Sequence, residues 1–491
     1  MSLDERKIRL EKMQKMMAEG INPYPSKFEK KQSLAQAKES KIGAKIKTAG
    51  RLMTKREMGK ICFCHLQDET IRMQIVLQQE KAGESEYKFF LKNIDMGDFI
   101  GVEGEIFKTK KGEISILVKK YTLLSKAILP LPEKWHGLKD LEKRYRERYL
   151  DLIMNEDVRE IFRKKAKFIK EIRNYMDGQG FVEVETPVLE EVPGGAEAEP
   201  FITHHNTLDV DFYLRISLEL HLKRLIVGGY EKVYELGRVF RNEGMSPQHL
   251  QEFTEMEFYW AYADWNDLIE MIEDMYTKVI KNTFGTLKFD YQGTAIDFKK
   301  PWKKINYVEI FKEKTGIDLD KNDYSKELLN FVTKNDSELA VEMKELQKAG
   351  VTNFGRIIDG VYKRFIRKDI IQPTILFNHP LAVSPLAKKD PKHPNRTERI
   401  QVLLLGAEVG NAFSELNDPI DQRARFEAQM KMREAGDKEA QMIDEDFLRA
   451  LEHGMPPTAG FGLGIDRLFM YLVNQPSIRD VVFFPTMRPE K

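Results

Sequence analysis

The sequence predicts an α+β protein in which a small N-terminal β-barrel precedes a larger domain, an antiparallel sheet flanked by helices. Three observations predict this architecture. The chain has 491 residues, more than one ordinary hydrophobic core accommodates. Short alternating segments fill residues 47–126, and long amphipathic segments interleaved with extended ones fill residues 155–491.

The composition is that of a folded protein in aqueous surroundings. Charged residues make up 32% and apolar residues 42% of the chain, which excludes a disordered or a membrane-embedded protein. The net charge is +1, so overall charge does not indicate a nucleic-acid binder, although acidic residues elsewhere can hide a local basic face. The first residues are charged with both signs and lack the apolar core of a secretory signal, so a cytoplasmic location is expected.

Residues 1–46 are expected to form a basic helix and a lead-in segment. From Asp4 to Gly20, the residues Leu10, Met13 and Met17 recur at helical spacing among lysines and arginines. The simpler interpretation is a solvated basic face on a small docked helix, and the alternative is direct contact with phosphates.

Residues 47–126 are expected to form a barrel of the OB type. In TIRMQIVLQQ apolar residues alternate with polar ones such as Gln74, the pattern of a half-buried strand, and GVEGEIFKTKKGEISILV predicts a hairpin turning at residues 110–112. Cys62 and Cys64 are one residue apart, which suits neither a disulfide framework nor a zinc site, so they are expected to be small apolar strand residues. Barrels of this type commonly bind unpaired bases.

Residues 127–154 are expected to link the domains, because prolines are followed by a densely charged helix. From residue 155 one large domain is expected. Its first helix carries an apolar stripe and ends at Gly178 and Gly180. The next segment, FVEVETPVL, is extended and is ended by Pro187.

Two extended segments further along are expected to pair as a hairpin with one polar and one apolar face. At a period of two, Arg241 and Glu243 share a face. In the returning segment, FTEMEFYWAYA, Phe253, Glu257 and Tyr259 share a face, and the opposite row is apolar. A guanidinium binds phosphate oxygens in pairs, a ring stacks on a base, and carboxylates bind an ammonium. The alternative is a cross-strand ladder of salt bridges.

Near the C-terminus, alternate glycines are expected to leave one strand face without side chains. Gly460, Gly462 and Gly464 occupy these positions, so a flat group can lie directly on the backbone. Their spacing belongs neither to the Rossmann fold nor to the P-loop. Arg467 opens the following helix, where it is expected to be a second anchor for a bent triphosphate.

The segment LLLGAEVGNAFSELNDP places three polar residues in an otherwise apolar strand, namely Glu408, Asn411 and Glu415. Buried carboxylates need partners, and magnesium or a substrate ammonium are the candidates.

These motifs resemble those of the class II aminoacyl-tRNA synthetases, and within their subclass IIb those of the lysyl-tRNA synthetases of the bacterial and eukaryotic type. The helix with GFVEVETPVL resembles motif 1, the segments from VFRNEG to EFTEMEFYWAYADW resemble motif 2, and GFGLGIDRLF resembles motif 3. These motifs span about residues 160–189, 233–262 and 457–472. The likeness covers nearly the whole chain, so it implies an OB-fold anticodon-binding domain at residues 47–126 and a class II catalytic domain at residues 155–491.

The resemblance implies roles for the matching positions. The implied catalytic residues are Arg241, Glu243 and Arg467. Those implied in ATP binding are Arg241, Glu243, His249, Phe253, Glu408 and Arg467, with Phe253 stacking on adenine. Those implied in lysine binding are Gly195, Glu219, Glu257, Tyr259, Asn411 and Glu415, with Tyr259 and Glu415 meeting the side-chain ammonium. The implied metal ligands are Glu408 and Gln401, and the implied anticodon-binding residues are Phe63, Gln74 and Glu113.

Four positions depart from the family pattern. Gln401 stands where relatives usually carry a second magnesium-binding glutamate, and its neutral oxygen is expected to hold a metal less strongly. Glu199 stands where a basic residue is common, and Leu218 and His221 replace proline and tyrosine. These three are expected to alter the lid of the pocket without changing the substrate.

The implied reaction is the activation of L-lysine by ATP with Mg²⁺, followed by transfer to the 3′ end of tRNA(Lys), in a homodimer and without a membrane partner. One alternative is an aspartyl- or asparaginyl-tRNA synthetase of the same subclass, but Glu415 beside Glu257 disfavours a substrate carboxylate. The others are a paralogue that lysylates a protein and a non-enzymatic RNA-binding regulator built on the same scaffold.

Overall fold

In a computed structural model the chain forms two compact units, residues 1–139 and 140–491. The structure describes residues 2–132, 138–321, 323–348, 350–351, 353–434, 437 and 439–490. Residues 133–137, inside the predicted linker, therefore lie outside the described residues. Both units combine helices with largely antiparallel strands, which confirms the α+β class.

The first unit is a closed five-stranded barrel with the strand order β1-β2-β3-β5-β4. Its elements are α1 Ser2–Ala18, α2 Leu34–Glu39, β1 Lys45–Met58, β2 Ile61–Gln67, β3 Arg72–Gln78, α3 Gln79–Ala82, α4 Glu84–Asn93, β4 Phe99–Lys108 and β5 Ile114–Ser125. The predicted hairpin is confirmed, since β4 pairs with β5 across a turn in which Gly112 has φ +89°.

The barrel interior contains Cys62 and Cys64, which are fully buried and free, as predicted for apolar strand residues. The half-buried pattern expected for β3 is wrong. Gln74 and Val76 are buried as well as the apolar row, because the helices α2 and α3 contact β3 and the Gln74 amide is hydrogen-bonded to Ser115 of β5.

The N-terminal helix α1 forms where it was expected, but its buried face differs from the predicted stripe. Met17 is 56% exposed, whereas Met16 and Arg9 are buried. The Arg9 guanidinium donates to the main-chain oxygens of Met96 and Ala127. The helix is thus docked through a basic residue whose hydrogen bonds satisfy carbonyls at the edge of the barrel.

The second unit is built on an eight-stranded sheet with the order β14-β15-β16-β17-β18-β11-β10-β6, and a three-stranded sheet, β7-β9-β8, and the hairpin β12-β13 accompany it. Its first elements are α5 Leu141–Arg146, α6 Arg148–Met154, α7 Glu156–Gly178, β6 Val182–Glu183, β7 Leu189–Glu190, β8 Ile202–His205, β9 Val210–Leu214, α8 Glu219–Val227, β10 Lys232–Phe240, β11 Glu252–Ala261 and α9 Trp265–Phe284. The middle elements are β12 Lys288–Tyr291, β13 Thr294–Asp297, β14 Lys303–Asn306, α10 Tyr307–Thr315, α11 Ser325–Asn335, α12 Ser337–Lys348, α13 Gly355–Phe365 and β15 Thr374–Phe377. The last are β16 Arg399–Leu404, β17 Ala407–Ser414, α14 Pro419–Glu434, α15 Glu445–Glu452, β18 Thr458–Gly464 and α16 Ile465–Leu472, and short 3₁₀ turns occupy Arg367–Asp369, Leu381–Val383 and Ile478–Val481.

One face of the large sheet carries the main hydrophobic core. Met256 and Phe258 of β11 and Phe461 of β18 pack there against α7, α9 and α16. The predicted stripe of α7 is confirmed, since it buries Val158, Phe162, Phe168, Ile172, Tyr175 and Met176. Because the apolar rows of the central strands face these helices, their polar rows lie on the opposite face of the sheet.

The charged helix of the predicted linker belongs to the second unit. The Arg148 side chain is fully buried and donates to Asp151 and to the main-chain oxygen of Phe483. Of the helices in the described ranges, none is long and apolar enough to cross a membrane.

Candidate active site

The glycine-bare strand β18 lies between two strands that carry polar side chains. Tyr259 pairs with Gly460 on one side, and Glu257 pairs with Gly462, which also pairs with Asn411 of β17 on the other side. Side chains from both neighbours can therefore extend over the backbone of β18. The arrangement forms the floor of a cleft.

This cleft has a volume of about 630 Å³. It is lined by every residue of the second unit for which a site role was expected, namely Gly195, Glu219, Arg241, Glu243, His249, Phe253, Glu257, Tyr259, Gln401, Glu408, Asn411, Glu415 and Arg467. Residues separated by more than 270 positions in the sequence thus meet around one space.

The hairpin of β10 and β11 pairs Glu235 with Glu257 and Val239 with Phe253. Strand β10 ends at Phe240, so Arg241 and Glu243 follow it in the loop. Glu235 does form a buried salt bridge, with its Oε1 2.7 Å from Arg215 Nη1, but Arg215 follows β9 and lies outside the hairpin, so the pair is not part of a cross-strand ladder. The remaining carboxylates of the polar row face the cleft instead.

At two positions of the cleft wall only glycine fits, because neighbouring side chains lie too close to the backbone for a Cβ atom. A Cβ atom on Gly460 would lie 2.2 Å from Glu415 Oε1 and 2.5 Å from the Tyr259 ring. Gly195 has φ +84°, and a Cβ atom there would lie 2.6 Å from Ser217 Oγ. Both glycines therefore allow polar side chains to approach the backbone at the cleft wall.

One end of the cleft concentrates buried carboxyl groups. Glu219, Glu257 and Glu415 are all less than 7% exposed, and Glu255 lies beside them. Burial raises the pKa of each, and mutual repulsion adds to the effect at Glu257 and Glu415. Glu415 Oε1 is buried without a hydrogen-bond partner among the described residues. This end of the cleft is suited to a cationic group.

Glu257 accepts three hydrogen bonds and still has a raised pKa. Its carboxylate accepts from the Leu218 main-chain N–H at 2.9 Å, the Ser217 hydroxyl at 3.1 Å and the Tyr259 hydroxyl at 2.9 Å. These bonds favour the ionised form, but burial and the neighbouring Glu255 and Glu219 raise the pKa of Glu257 to about 8.

The other end of the cleft concentrates cations. Arg241 lies with its guanidinium carbon 5.1 Å from the centre of the Phe253 ring, and its Nε donates to the Ile216 main-chain oxygen at 3.1 Å. Arg467 donates to the main-chain oxygen of Glu408 at 2.9 Å. Its Nε is buried without a partner in the described part of the chain, which leaves it available to a bound anion.

His249 is neutral at physiological pH in this environment. Burial and the charges of Arg467, Lys363, Arg367 and Arg241 lower its pKa to about 4. Its Nδ1 lies 2.7 Å from Ser246 Oγ. A neutral imidazole among cations can donate one hydrogen bond without adding a charge.

Three cationic residues in or near the site, Lys363, Arg367 and Lys223, lie in segments without a recognisable motif. Lys363 lies in the last turn of the amphipathic helix α13, whose polar row has the pattern of a solvated face, and Arg367 begins the 3₁₀ turn that follows. Lys223 lies in α8 one turn after Glu219 and is fully buried. The only available signal was the i to i+4 spacing of Glu219 and Lys223.

Glu408 and Gln401 are brought together on neighbouring strands. The Gln401 amide donates to the Glu408 carboxylate. Glu408 and Asn411 are three residues apart, so a regular strand would point them to opposite faces, but a bulge at the β16–β17 pairing shifts the register between Val402 and Leu403. The bulge allows both to line the cleft.

No cluster of three or more His, Cys, Asp or Glu side chains within the described residues forms a metal site from protein atoms alone. Glu408 with the Gln401 amide oxygen offers two oxygen donors. That set fits Mg²⁺ when the remaining ligands come from phosphate oxygens and water, which is how this ion is commonly bound.

The residues expected to alter the pocket lid lie behind the cleft wall. Leu218 is buried in an apolar cluster and presents its N–H to Glu257. His221 Nε2 lies 3.3 Å from Glu190 Oε1. The Glu199 main-chain oxygen accepts from the N–H of Asn242, next to Arg241.

Two of the three expected anticodon residues, Phe63 and Gln74, lie on adjacent strands of the barrel in the first unit, and Glu113 lies in the turn just before β5. Phe63 of β2 is half-buried, and Gln74 of β3 is opposite His65 of β2. The Gln74 amide is buried and donates to Ser115 Oγ at 2.8 Å. Glu113 is exposed, with its carboxylate 3.9 Å from His65 Nε2. They form one polar and aromatic patch.

Comparisons with known proteins agree with this architecture. Residues 140–488 match the family described as tRNA synthetases class II (D, K and N), and residues 46–124 match the OB-fold nucleic acid binding domain. The chain is 49% identical to a protein of Halalkalibacterium halodurans, over 98% of this chain and 96% of the relative. It is 47% identical to proteins of Thermotoga maritima (98% and 96% covered) and Bacillus subtilis (99% and 97%). All three relatives are named Lysine–tRNA ligase.

The contact at Gly460 predicts a local effect on stability. Gly460→Ala should destabilise the second unit by about 1–3 kcal/mol, because the new methyl group overlaps Glu415 and Tyr259. Gly462→Ala is the matched control on the same strand face, since its Cβ would meet Glu257 at an ordinary 3.5 Å. Urea denaturation measures both, and equal midpoints would contradict the packing described here.

The raised pKa of Glu257 predicts a pH-dependent stability. The folded protein holds this proton up to about pH 8, whereas the unfolded chain releases it near 4.5. The stability that it contributes therefore falls as pH rises through that window. The denaturation midpoint of Glu257→Gln should rise relative to the unmodified protein between pH 5 and pH 9. A constant difference across this range would mean that Glu257 is ionised throughout.

Proposed function

The chain belongs to the class II tRNA synthetases (D, K and N), and from this premise we propose that it activates L-lysine with ATP and transfers it to the 3′ end of tRNA(Lys). Its relatives named Lysine–tRNA ligase match it along nearly its whole length. The observation that carries the choice of amino acid is the carboxylate end of the cleft, where Glu415 Oε1 is buried beside Tyr259 without a partner.

A buried unpaired carboxylate oxygen selects a cationic substrate side chain. The ε-ammonium of lysine would bind Glu415 Oε1 and the Tyr259 hydroxyl oxygen, while a neutral side chain would leave Oε1 without a cationic partner. Gly195, Glu219, Glu257 and Asn411 line the same end and would receive the α-amino group and the rest of the amino acid.

The cationic end would hold ATP in a bent conformation. Phe253 would stack on adenine, Glu243 would accept from the adenine amino group, and Arg241 would bridge the α-phosphate and the lysine carboxylate. His249 and Arg467 would bind the outer phosphates. The unpartnered Arg467 Nε supports this role.

Glu408 would hold Mg²⁺ at the triphosphate, with Gln401 as a weaker second ligand. When bound, the ion neutralises the charge of the phosphates and of the departing pyrophosphate. Gln401 would have to turn its amide oxygen toward the ion, because its amide N–H now donates to Glu408.

The chemistry follows from this positioning. One oxygen of the lysine carboxylate attacks the α-phosphorus, the bond to the bridging oxygen of the β-phosphate breaks, and pyrophosphate leaves as lysyl-adenylate forms. The 3′-hydroxyl of the terminal adenosine then attacks the lysyl carbonyl carbon, and AMP leaves. Both steps require orientation and charge neutralisation by Arg241 and Arg467 more than a side-chain base.

The barrel would bind the anticodon. Phe63 offers a ring for stacking on an unpaired base, while Glu113 and Gln74 offer polar atoms for its edges. Gln74 would have to exchange its hydrogen bond with Ser115 for one to a base.

We also propose that two copies associate through motif 1. Exposed apolar side chains occur on and beside the short strands that follow α7, namely Val182, Val188, Leu189, Ile202 and Val210. An isologous interface over these strands would cover them and the open edge of β6. A cytoplasmic location is proposed from the role in translation.

The aspartate-specific alternative is not favoured, since its side-chain carboxylate would meet Glu415 and Glu257 without a new cation. The asparagine-specific alternative is not favoured either, because its neutral amide would leave Glu415 Oε1 without a cationic partner. Catalytic residues gathered around one cleft argue against a purely regulatory RNA-binding protein.

Pyrophosphate exchange into ATP with the purified protein and Mg²⁺ tests the proposal. Exchange is expected with lysine and not with aspartate or asparagine, in the absence of tRNA. Exchange with aspartate or asparagine would overturn the assignment of Glu415 and Tyr259. No exchange with any of the three would favour the regulatory alternative.

Glu415→Gln should raise the KM for lysine by roughly tenfold to a hundredfold, because it removes the charge that receives the ε-ammonium. The KM for ATP should stay within about threefold, since the cationic end is unchanged. Exchange kinetics measure both constants. Glu427→Gln, an exposed change on α14, is the control, and equal effects on lysine and ATP would contradict the role of Glu415.

A further inference from the structure

The ammonium group of Lys223 lies behind Glu219 and Glu415 at the carboxylate end of the cleft. Lys223 is fully buried in α8. Its Nζ lies 2.5 Å from Glu219 Oε1 and forms a second ion pair with Glu415 Oε2. Of the described residues, those that line the cleft include Glu219 and Glu415 but not Lys223.

The surroundings of Lys223 keep it charged and in place. Its Nζ lies 5.4 Å and 5.8 Å from the ring centres of Phe413 and Phe447. Burial alone would lower the pKa of the ammonium, but Glu219 and Glu415 outweigh this effect and raise it. Aromatic rings and carboxylates together form a cage for a cation.

The two oxygens of Glu415 are therefore not equivalent. Neither oxygen accepts a regular hydrogen bond among the described residues, but their surroundings differ. Oε2 forms the ion pair with Lys223 Nζ, whereas Oε1 lies over Gly460 on the cleft side. A single open oxygen suits an ammonium, which is a compact point charge. A guanidinium instead gains most from a carboxylate that offers both oxygens in parallel.

We propose that Lys223 is a specificity-determining residue, which occupies Glu415 Oε2 and so leaves only the acceptor geometry that a primary ammonium can use. The inference rests on the proposed function and deepens it. Lys223 acts through Glu415 and Glu219, so it is a positioning residue that discriminates lysine from arginine without touching the substrate.

Removing the resident ammonium should relax this discrimination. In Lys223→Met the stem length is kept and Glu415 Oε2 becomes available. The quantity to measure is KM(Lys) divided by Ki(Arg), where Ki(Arg) is the inhibition constant of arginine in lysine-dependent exchange. In Lys223→Met, KM(Lys) over Ki(Arg) should rise by roughly tenfold or more, because arginine binds more tightly relative to lysine. The KM for ATP should change by less than about threefold.

The matched control is Arg224→Met. Arg224 is the next residue on the same helix, and it pairs with Asp444 at 2.7 Å rather than with a cleft carboxylate. This variant removes a cation from α8 and should leave KM(Lys) over Ki(Arg) unchanged. Pyrophosphate exchange with the full-length protein supplies all constants.

If Lys223→Met is too unstable to purify, the double variant Lys223→Met with Glu219→Gln carries the same measurement, because it leaves no unpaired charge at position 219. An unchanged ratio in whichever variant folds would reduce Lys223 to a packing role and overturn the inference. Absence of lysine-dependent exchange in the unmodified protein would overturn the proposed function as well, so the two failures are distinguishable.

Discussion

The structure of the second unit depends on one electrostatic constraint, which is that four largely buried carboxyl groups share one cleft. Glu219, Glu255, Glu257 and Glu415 cannot all be ionised without cations. The protein meets this constraint from two directions. Lys223 approaches from behind the wall and Arg241 from the opposite end, at 3.7 Å from Glu255. The remaining deficit of positive charge is the basis of binding, because a cationic substrate relieves it.

The two faces of the large sheet make it possible to hold these carboxyl groups close together. Met256 and Phe258 alternate with Glu255, Glu257 and Tyr259 along β11, so the same strand that builds the core also builds the cleft. Burial of the apolar row holds the carboxylates in fixed positions, and the glycines of β18 leave room for them above the sheet. Rigidity on one face thus supplies positioning on the other.

The two units use polar residues differently. The barrel of the first unit buries Gln74 with Ser115 and keeps a shallow patch of Phe63 and Glu113 at its surface, as suits contact with a large ligand. The second unit encloses its polar residues in a deep cleft, as suits small substrates and the exclusion of water. One chain thus combines a unit with a shallow polar surface and a unit with an enclosed cleft.

Much of this could be predicted from the sequence, because the signals are local. The alternation of β11, the stripe of α7 and the glycines at 460, 462 and 464 each follow from the period of one element, and the resemblance to motifs 1, 2 and 3 assigned roles to residues that the structure then gathers around one cleft. The class II architecture and the choice of lysine, both expected from the sequence, agree with the family match and with the named relatives.

Other features were decided only by tertiary structure. The buried face of α1 depends on where the helix docks, so Arg9 rather than Met17 is buried. Both faces of β3 are covered because the barrel interior lies on one side and α2 and α3 contact the strand as well. Glu408 lines the cleft because of a bulge that no sequence pattern predicts. Lys223 became part of the site because the chain brings Glu415 to it across nearly 200 residues. Sequence periodicity determines which face of an element is apolar, whereas long-range packing determines what that face meets.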